Sequence, residues 1–228
     1  YLGHAFNSDP RAKLVAACDL DVQRLEHARK SLKEDNVSYY TQSAELLADP
    51  RVDAVVVATH DAAHGRNGLE VLRARKHLFL EKPMAQSIAE CDAMIEAWRD
   101  VGVVFMIGLE LRYCSLCQMM KEILDRGDIG QVKLAYAVDN VSVGGNYYFH
   151  DRKRRRDFIV SLVLEKGTHT LDLMNWFIGA HPIRVYAEGG LDVFGGNASN
   201  TKRCRDCADK DSCPYFVSVE GFKMDYGQ

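Results

Sequence analysis

The stretch Val52-Asp53-Ala54-Val55-Val56-Val57-Ala58-Thr59-His60 decides the fold. Alanine and valine follow one another from position 54 to 58, so a strand through them is apolar on both faces. Such a strand is normally covered by helices on both sides, which places it in the middle of a parallel sheet. Upstream, Lys13–Cys18 is a short apolar run that stops at Asp19 and reads as another buried strand. Asp21–Lys33 follows as a helix with Val22, Leu25, Ala28 and Leu32 on one face, then Val37–Tyr40 as a shorter strand. Ser43-Ala-Glu-Leu-Leu47 fits a brief helix closed by Asp49-Pro50. Downstream, His64–Arg75 reads as helix, His77–Leu80 as strand and Val103–Ile107 as a last strand. Between these two strands Ser87–Asp100 is helical, with Ser87 as N-cap and Glu90 at the capping-box position. Strands separated by helices of these lengths are βαβ units, and residues 1–108 are therefore expected to form a doubly wound α/β domain.

Past Gly108 the texture changes. Tyr113–Arg126 is one amphipathic helix stopped at Gly127, and Val132–Val143 alternates as a long strand. Glu165–Ile178 is a helix ended by Gly179, Ile183–Glu188 is a strand, and the tail from Gly189 reads as loop. Residues 109–228 are expected to form an α+β domain on an open sheet, incomplete at its end. The composition is 47% hydrophobic and 27% charged with a net charge of −3, which excludes a disordered chain and a globally basic nucleic-acid binder. No uncharged apolar run reaches the roughly 18 residues of a membrane span. Seven cysteines, an odd number at modest density, favour reduced thiols and a cytoplasmic location. The sequence starts at Tyr1, so a signal peptide is not judged, and a first strand is expected upstream.

A parallel α/β sheet takes its ligands at the carboxyl ends of its strands. Three clusters fall there: Asp19, the run Ala58-Thr59-His60-Asp61, and Glu81-Lys82-Pro83. In a dinucleotide-binding sheet an acidic residue at Asp19's place accepts hydrogen bonds from ribose hydroxyls; a plain helix N-cap is the other reading. The glycine-rich phosphate turn that accompanies such an acid, about 20 residues upstream, would lie before Tyr1. Lys82, fixed before a proline, can polarise a hydroxyl or carbonyl oxygen; a solvated loop lysine is the alternative.

Cys18-Asp19-Leu-Asp-x-x-Arg24, Ala58-Thr59…His64, Lys76-His-Leu-Phe-Leu-Glu-Lys82-Pro83, Gly127-Asp-Ile-Gly130-Gln-Val132 and Glu165-Lys-Gly167-Thr-His169-Thr-Leu-Asp172-Leu-Met-Asn-Trp176 occur in this order. Together they resemble the Gfo/Idh/MocA family, the group of glucose–fructose oxidoreductase and inositol dehydrogenase. The resemblance covers nearly the whole chain and implies a Rossmann-type N-terminal domain, a C-terminal substrate domain and NAD(P)-dependent chemistry on sugars or polyols. It implies catalytic roles for Lys82, His169 and Glu165, the last at a position often occupied by Asp. Asp172, Arg112 and Tyr148 are the substrate-binding candidates. Asp19, Arg24, Ala58, Thr59, His60, His64, Glu81 and Lys82 are the cofactor-binding candidates. NAD is favoured over NADP because of Asp19, against Arg24 and Lys13 nearby, which could receive a phosphate. A homo-oligomer, dimer or tetramer, is implied as well, with no nucleic-acid or membrane partner.

Spacing agrees with a shared site. On a helix, positions 165, 169 and 172 lie on one face, and a histidine between two carboxylates is expected to have its pKa raised. Zinc on these three groups is the less favoured use. Two departures from the family pattern bear on substrate class. Val160 and Ser161 stand nine and eight residues before His169, where a glycine pair is common, and His60 stands where proline is common. Arg152-Lys-Arg-Arg-Arg156 reads as a solvated loop that could steer an acidic sugar. Cys204, Cys207 and Cys213 are one ligand short of a tetrahedral metal site, so no metal is assigned. The family also holds NAD-dependent glycosidases and non-catalytic NAD(P)-binding regulators, which remain the rival readings.

Overall fold

The computed structural model describes residue 6 and residues 8–32, 36–140, 158–190, 204–213 and 216. The first half alternates as expected: β1 Ala16–Cys18, α1 Val22–Leu32, β2 Ser38–Tyr40, α2 Ser43–Ala48, β3 Ala54–Val57, α3 Asp61–Arg73, β4 His77–Glu81, α4 Ile88–Arg99 and β5 Phe105–Gly108. All strand pairs are parallel, β1 with β2 and, in a second sheet, β3 with β4 and β4 with β5. In the 3-2-1-4-5-6 order of a doubly wound sheet, β2 and β1 take places 3 and 2, and β3, β4 and β5 take places 4, 5 and 6. Place 1, between the two sheets, is filled by no described residue.

β3, read as a central strand, pairs with β4 on one side and with no described strand on the other, and Val56 is 37% exposed. Its apolar character is that of a central strand, but centrality needs a neighbour on both sides.

The core of this half is Val57, Val71, Leu72, Leu78, Leu80, Ala85 and Met94, where β3 and β4 meet α3 and α4. Leu72, Leu78, Leu80 and Met94 are essentially fully buried, each worth about 2 kcal/mol of apolar transfer. The two helices approach closely because α3 carries Gly65 and Gly68 on the facing side. A Cβ at Gly68 would lie 2.6 Å from Met94 Sδ, and one at Gly65 would lie 2.7 Å from Glu90 Oε1. Ser87 caps α4 as expected: its hydroxyl oxygen accepts the Glu90 N–H at 3.3 Å and donates to Glu90 Oε2 at 2.9 Å.

After β5 come a 3₁₀ turn, Glu110–Tyr113, and α5, Ser115–Asp125. A π turn, Val163–Gly167, then runs into α6, Thr168–Ile178, which Gly179 ends in the left-handed region at φ 69°. The strands expected over Val132–Val143 and Ile183–Glu188 are not formed among the described residues; positions 132–140 and 183–188 lie in no ladder, and 141–143 fall outside the described set. Leu134, Tyr136, Ile183 and Tyr186 are each at least 87% exposed. Alternation supplies a strand's two faces, but the strand itself exists only when a neighbour takes its N–H and C=O groups. No described helix is long and apolar enough to cross a membrane.

Candidate active site

The carboxyl edge of the first-half sheet carries the three clusters expected there. Asp19 follows β1, its N–H donating to Tyr40 O and its Oδ1 accepting the Asp21 N–H at 2.9 Å. One oxygen thus serves as a turn cap, while Oδ2 lies 3.9 Å from Arg24 Nη1 with the side chain 38% exposed. Both sequence readings of Asp19 are compatible with this geometry, because each uses a different oxygen. Arg24 accordingly sits beside the acid at the same edge.

After β3, Ala58 and Thr59 lead to His60, the residue before α3; Thr59 Oγ1 accepts from Asn67 Nδ2 at 3.3 Å. His60 lies edge-on to Phe158, with ring centroids 5.9 Å apart. His64, expected to touch cofactor, is placed differently. It is 1% exposed, with Nδ1 2.7 Å from Pro83 O and Nε2 3.0 Å from Thr59 O. It braces the loop after β3 against the loop after β4, so its contribution to the site is to hold Thr59 and Lys82 in place. Glu81, the last residue of β4, lies against Gly108 of β5: a Cβ there would be 3.2 Å from Glu81 Oε2.

Lys82 begins the loop after β4 and reaches across to the second half. Its Nζ donates to the Glu165 carbonyl at 2.9 Å and to Glu165 Oε1 at 3.4 Å. Both side chains are withdrawn from water, Lys82 20% and Glu165 4% exposed. An ammonium carries three donors, so one N–H is left without a protein partner among the described residues. Glu165 belongs to the π turn, a helix variant that often marks functional sites. The turn starts where the Ser161 hydroxyl accepts the Leu164 N–H at 3.1 Å. Val160, the other departure from the family pattern, is 53% exposed. A second tie, Gln86 Nε2 to Phe158 O at 2.7 Å, joins the same two segments.

His169 lies one turn on, buried in α6, with Nδ1 shielded and without a hydrogen-bond partner among the described residues. Its Nε2 is 3.5 Å from Glu110 Oε1 in the 3₁₀ turn after β5. Asp172 is held by Arg112 through two bonds, Nη2–Oδ1 2.6 Å and Nε–Oδ2 2.7 Å, and the guanidinium also lies 5.5 Å over the Trp176 ring. This bidentate clasp holds the Arg112 guanidinium firmly in its charged form. Arg112 and Asp172 therefore reach the site as a bonded pair.

The expected rise in the His169 pKa is corrected by the structure. Burial pushes it down first; Glu110 pulls it up, Lys82 and Lys166 push it down, and Asp172 pulls it up least. Spacing along one helix did bring Asp172 near, but Arg112 already neutralises it, and Glu165 is turned to Lys82. Glu110 is the residue that sequence reasoning passed over. Its signal was its place: two residues past β5, on the same edge as Asp19, His60 and Lys82.

Tyr148 and the run Arg152–Arg156 lie outside the described residues. The seven cysteines are free thiols, and no three or more His, Cys, Asp or Glu among the described residues are arranged to hold a metal.

Comparison with known proteins identifies a family along most of the chain. Residues 1–109 match the model described as an oxidoreductase family with an NAD-binding Rossmann fold, and residues 117–204 match the GFO/IDH/MocA C-terminal domain. An inositol 2-dehydrogenase of Gluconacetobacter diazotrophicus is 32% identical over 168 residues, covering 73% of this chain and 47% of the relative. A myo-inositol 2-dehydrogenase of Thermotoga maritima is 26% identical over 191 residues, covering 80% and 52%. The crystal structure of myo-inositol 2-dehydrogenase from Lactobacillus plantarum superposes with a TM-score of 0.66 at 27% identity, over 77% of this chain and 51% of that one. The chain spans about half the length of these relatives.

Proposed function

Because the chain belongs to the GFO/IDH/MocA oxidoreductase family, we propose that it carries the acid–base centre of an NAD(P)-dependent dehydrogenase acting on a sugar or cyclitol hydroxyl. The observation that carries this reading is the convergence of Lys82, Glu165 and His169, drawn from two halves of the chain, at the carboxyl edge of a parallel sheet.

The residues present suit a nicotinamide dinucleotide on two counts. Asp19 keeps an exposed carboxylate oxygen at the end of β1, where ribose hydroxyls are bound in such sheets. Lys82 keeps a spare N–H at the end of β4, on the side of the second half. When bound, the cofactor supplies the hydride acceptor for the substrate carbon.

The protein's own groups do the rest. Lys82 donates its free N–H to the substrate oxygen and stabilises the negative charge that grows there as the hydroxyl proton leaves. The Glu165 carbonyl and carboxylate hold that ammonium in one position and spare it from bulk water. His169 Nε2 takes the proton, since Nδ1 is sealed inside. The clasped Arg112–Asp172 pair presents remaining donors and acceptor lone pairs to further substrate hydroxyls, a role that fits a polyhydroxylated ligand. Asp19 favours NAD; Arg24 beside it is where a 2′-phosphate would be received.

The test is His169→Ala in a coupled assay of cyclitols and sugars with NAD and NADP. Turnover is expected to fall by about 10²–10⁴-fold, the usual worth of a general base, while cofactor binding by fluorescence titration stays as in the parent. Unchanged turnover in the variant would refute the assignment.

A further inference from the structure

The charges around His169 are unevenly committed. Asp172 faces it from its own helix but is clasped by Arg112, and Glu165 is turned to Lys82. Two cations, Lys82 from the loop after β4 and Lys166 from the π turn, work against a positive charge on the ring. The buried Nδ1 has no hydrogen-bond partner among the described residues, so its N–H in the imidazolium is compensated by none of them. Among the described residues the direct ion-pair contact of the ring is at Nε2, where Glu110 Oε1 lies at 3.5 Å. Among the described residues, Glu110 has no cation at ion-pair distance other than this imidazole.

We propose that Glu110 is a positioning residue for His169, aligning the ring through Nε2 and keeping its protonated state accessible. The consequence for turnover rests on the dehydrogenase reading above; the effect on the imidazole does not. A carboxylate 64% exposed at the rim can do this without the cost of a buried ion, because only its partner is desolvated. It can also turn aside when a substrate hydroxyl arrives at Nε2, leaving the atom free to take the proton.

The experiment is NMR titration of the full chain, with the His169 ring signal assigned by its loss in His169→Gln. In Glu110→Gln the His169 midpoint is expected to fall by about 0.5–1 pH, as follows for a partly screened charge at this distance. Glu110→Asp should fall between parent and Glu110→Gln. Raising salt should narrow the gap between parent and Glu110→Gln, and should raise the midpoint of the variant, where Lys82 and Lys166 are the charges left to screen. The acidic limb of the oxidation rate should move to lower pH in step with the midpoint. A midpoint that stays fixed or rises in Glu110→Gln overturns the proposal. A midpoint that falls in a protein without dehydrogenase turnover upholds it and counts against the dehydrogenase reading instead.

Discussion

The two halves of the molecule are held by different forces. From β1 to β5 the buried residues are mostly leucine, valine, alanine and methionine, gathered in one core between a parallel sheet and two helices. From residue 109 onward the buried residues among those described are Cys117, Glu165 and His169. The first half is stabilised by area removed from water. The π turn is tied to the first half by Lys82 to Glu165, and α6 is tied to the 3₁₀ turn of its own half by Arg112 to Asp172 and Glu110 to His169. Apolar packing tolerates displacement gradually, whereas a buried ion pair loses most of its value once broken. The site is thus rigid for the first half's reasons and assembled for the second half's reasons.

The chain's two tryptophans make the contrast measurable, since Trp98 lies in α4 and Trp176 in α6. Single-tryptophan variants, with the other replaced by Phe, report each half in urea unfolding. Leu80 is fully buried in the apolar core, and Leu80→Ala is expected to cost 2–5 kcal/mol in the transition seen by Trp98. Lys82→Met should act on the other half. It leaves the Glu165 carboxylate buried without its ammonium, at about 3 kcal/mol, and should appear chiefly at Trp176. If Trp98 and Trp176 shift equally in both variants, the halves unfold as one unit and the contrast is lost.

The first half has a polar clasp of its own, and it sharpens the comparison. Asp49 is buried and accepts from Arg51 N, Nε and Nη2 and from the Tyr40 hydroxyl. The Arg51 side-chain bonds lead in holding its carboxyl far below the ordinary range. A folded-state pKa below the unfolded one means stability that is present above the unfolded value, about 3.9, and lost as pH falls through it toward the folded value. The parent should therefore lose urea stability between about pH 5 and pH 3, and Asp49→Asn should lose less over that window. Equal losses at Trp98 would show that acid acts on the first half through other carboxylates.

How much of this was legible in the sequence follows the same division. The βαβ alternation depends on local periodicity, so β1 to β5 and their helices could be read from residues in a row. The place of β3 in its sheet depends on a neighbour, and the exposed runs 132–140 and 183–188 show that alternation without a partner makes no strand. Lys82, Glu165 and His169 were visible in the sequence as residue types within motifs. Their pairing was not, because Lys82 and Glu165 are 83 residues apart and Arg112 and Asp172 are 60 apart. Counting carboxylates along one helix gave the wrong sign for His169, since it ignored burial, two lysines and the cation that already holds Asp172. His64 sits near the carboxyl edge of the sheet but is buried, and burial of a single histidine leaves no mark in a sequence.

The smallest expected effect compares two helix caps, one in each half. Ser87 and Cys114 each accept the N–H of the residue three further on, both at 3.3 Å, opening α4 and α5. An oxygen is the stronger acceptor, and Ser87 also donates to Glu90, so Ser87→Ala should cost about 1 kcal/mol at Trp98. Cys114 is a weaker acceptor by nature, although contact with Cys117 draws the Cys114 pKa down. Cys114→Ala should then cost a few tenths of a kcal/mol at Trp176, and Cys114→Ser should recover that loss. If Cys114→Ala instead costs as much as Ser87→Ala, the sulfur is capping largely as thiolate. In that case its cost should shrink on lowering the pH from 8 to 6, while the cost of Ser87→Ala stays constant, because only one of the two caps carries a titrating proton.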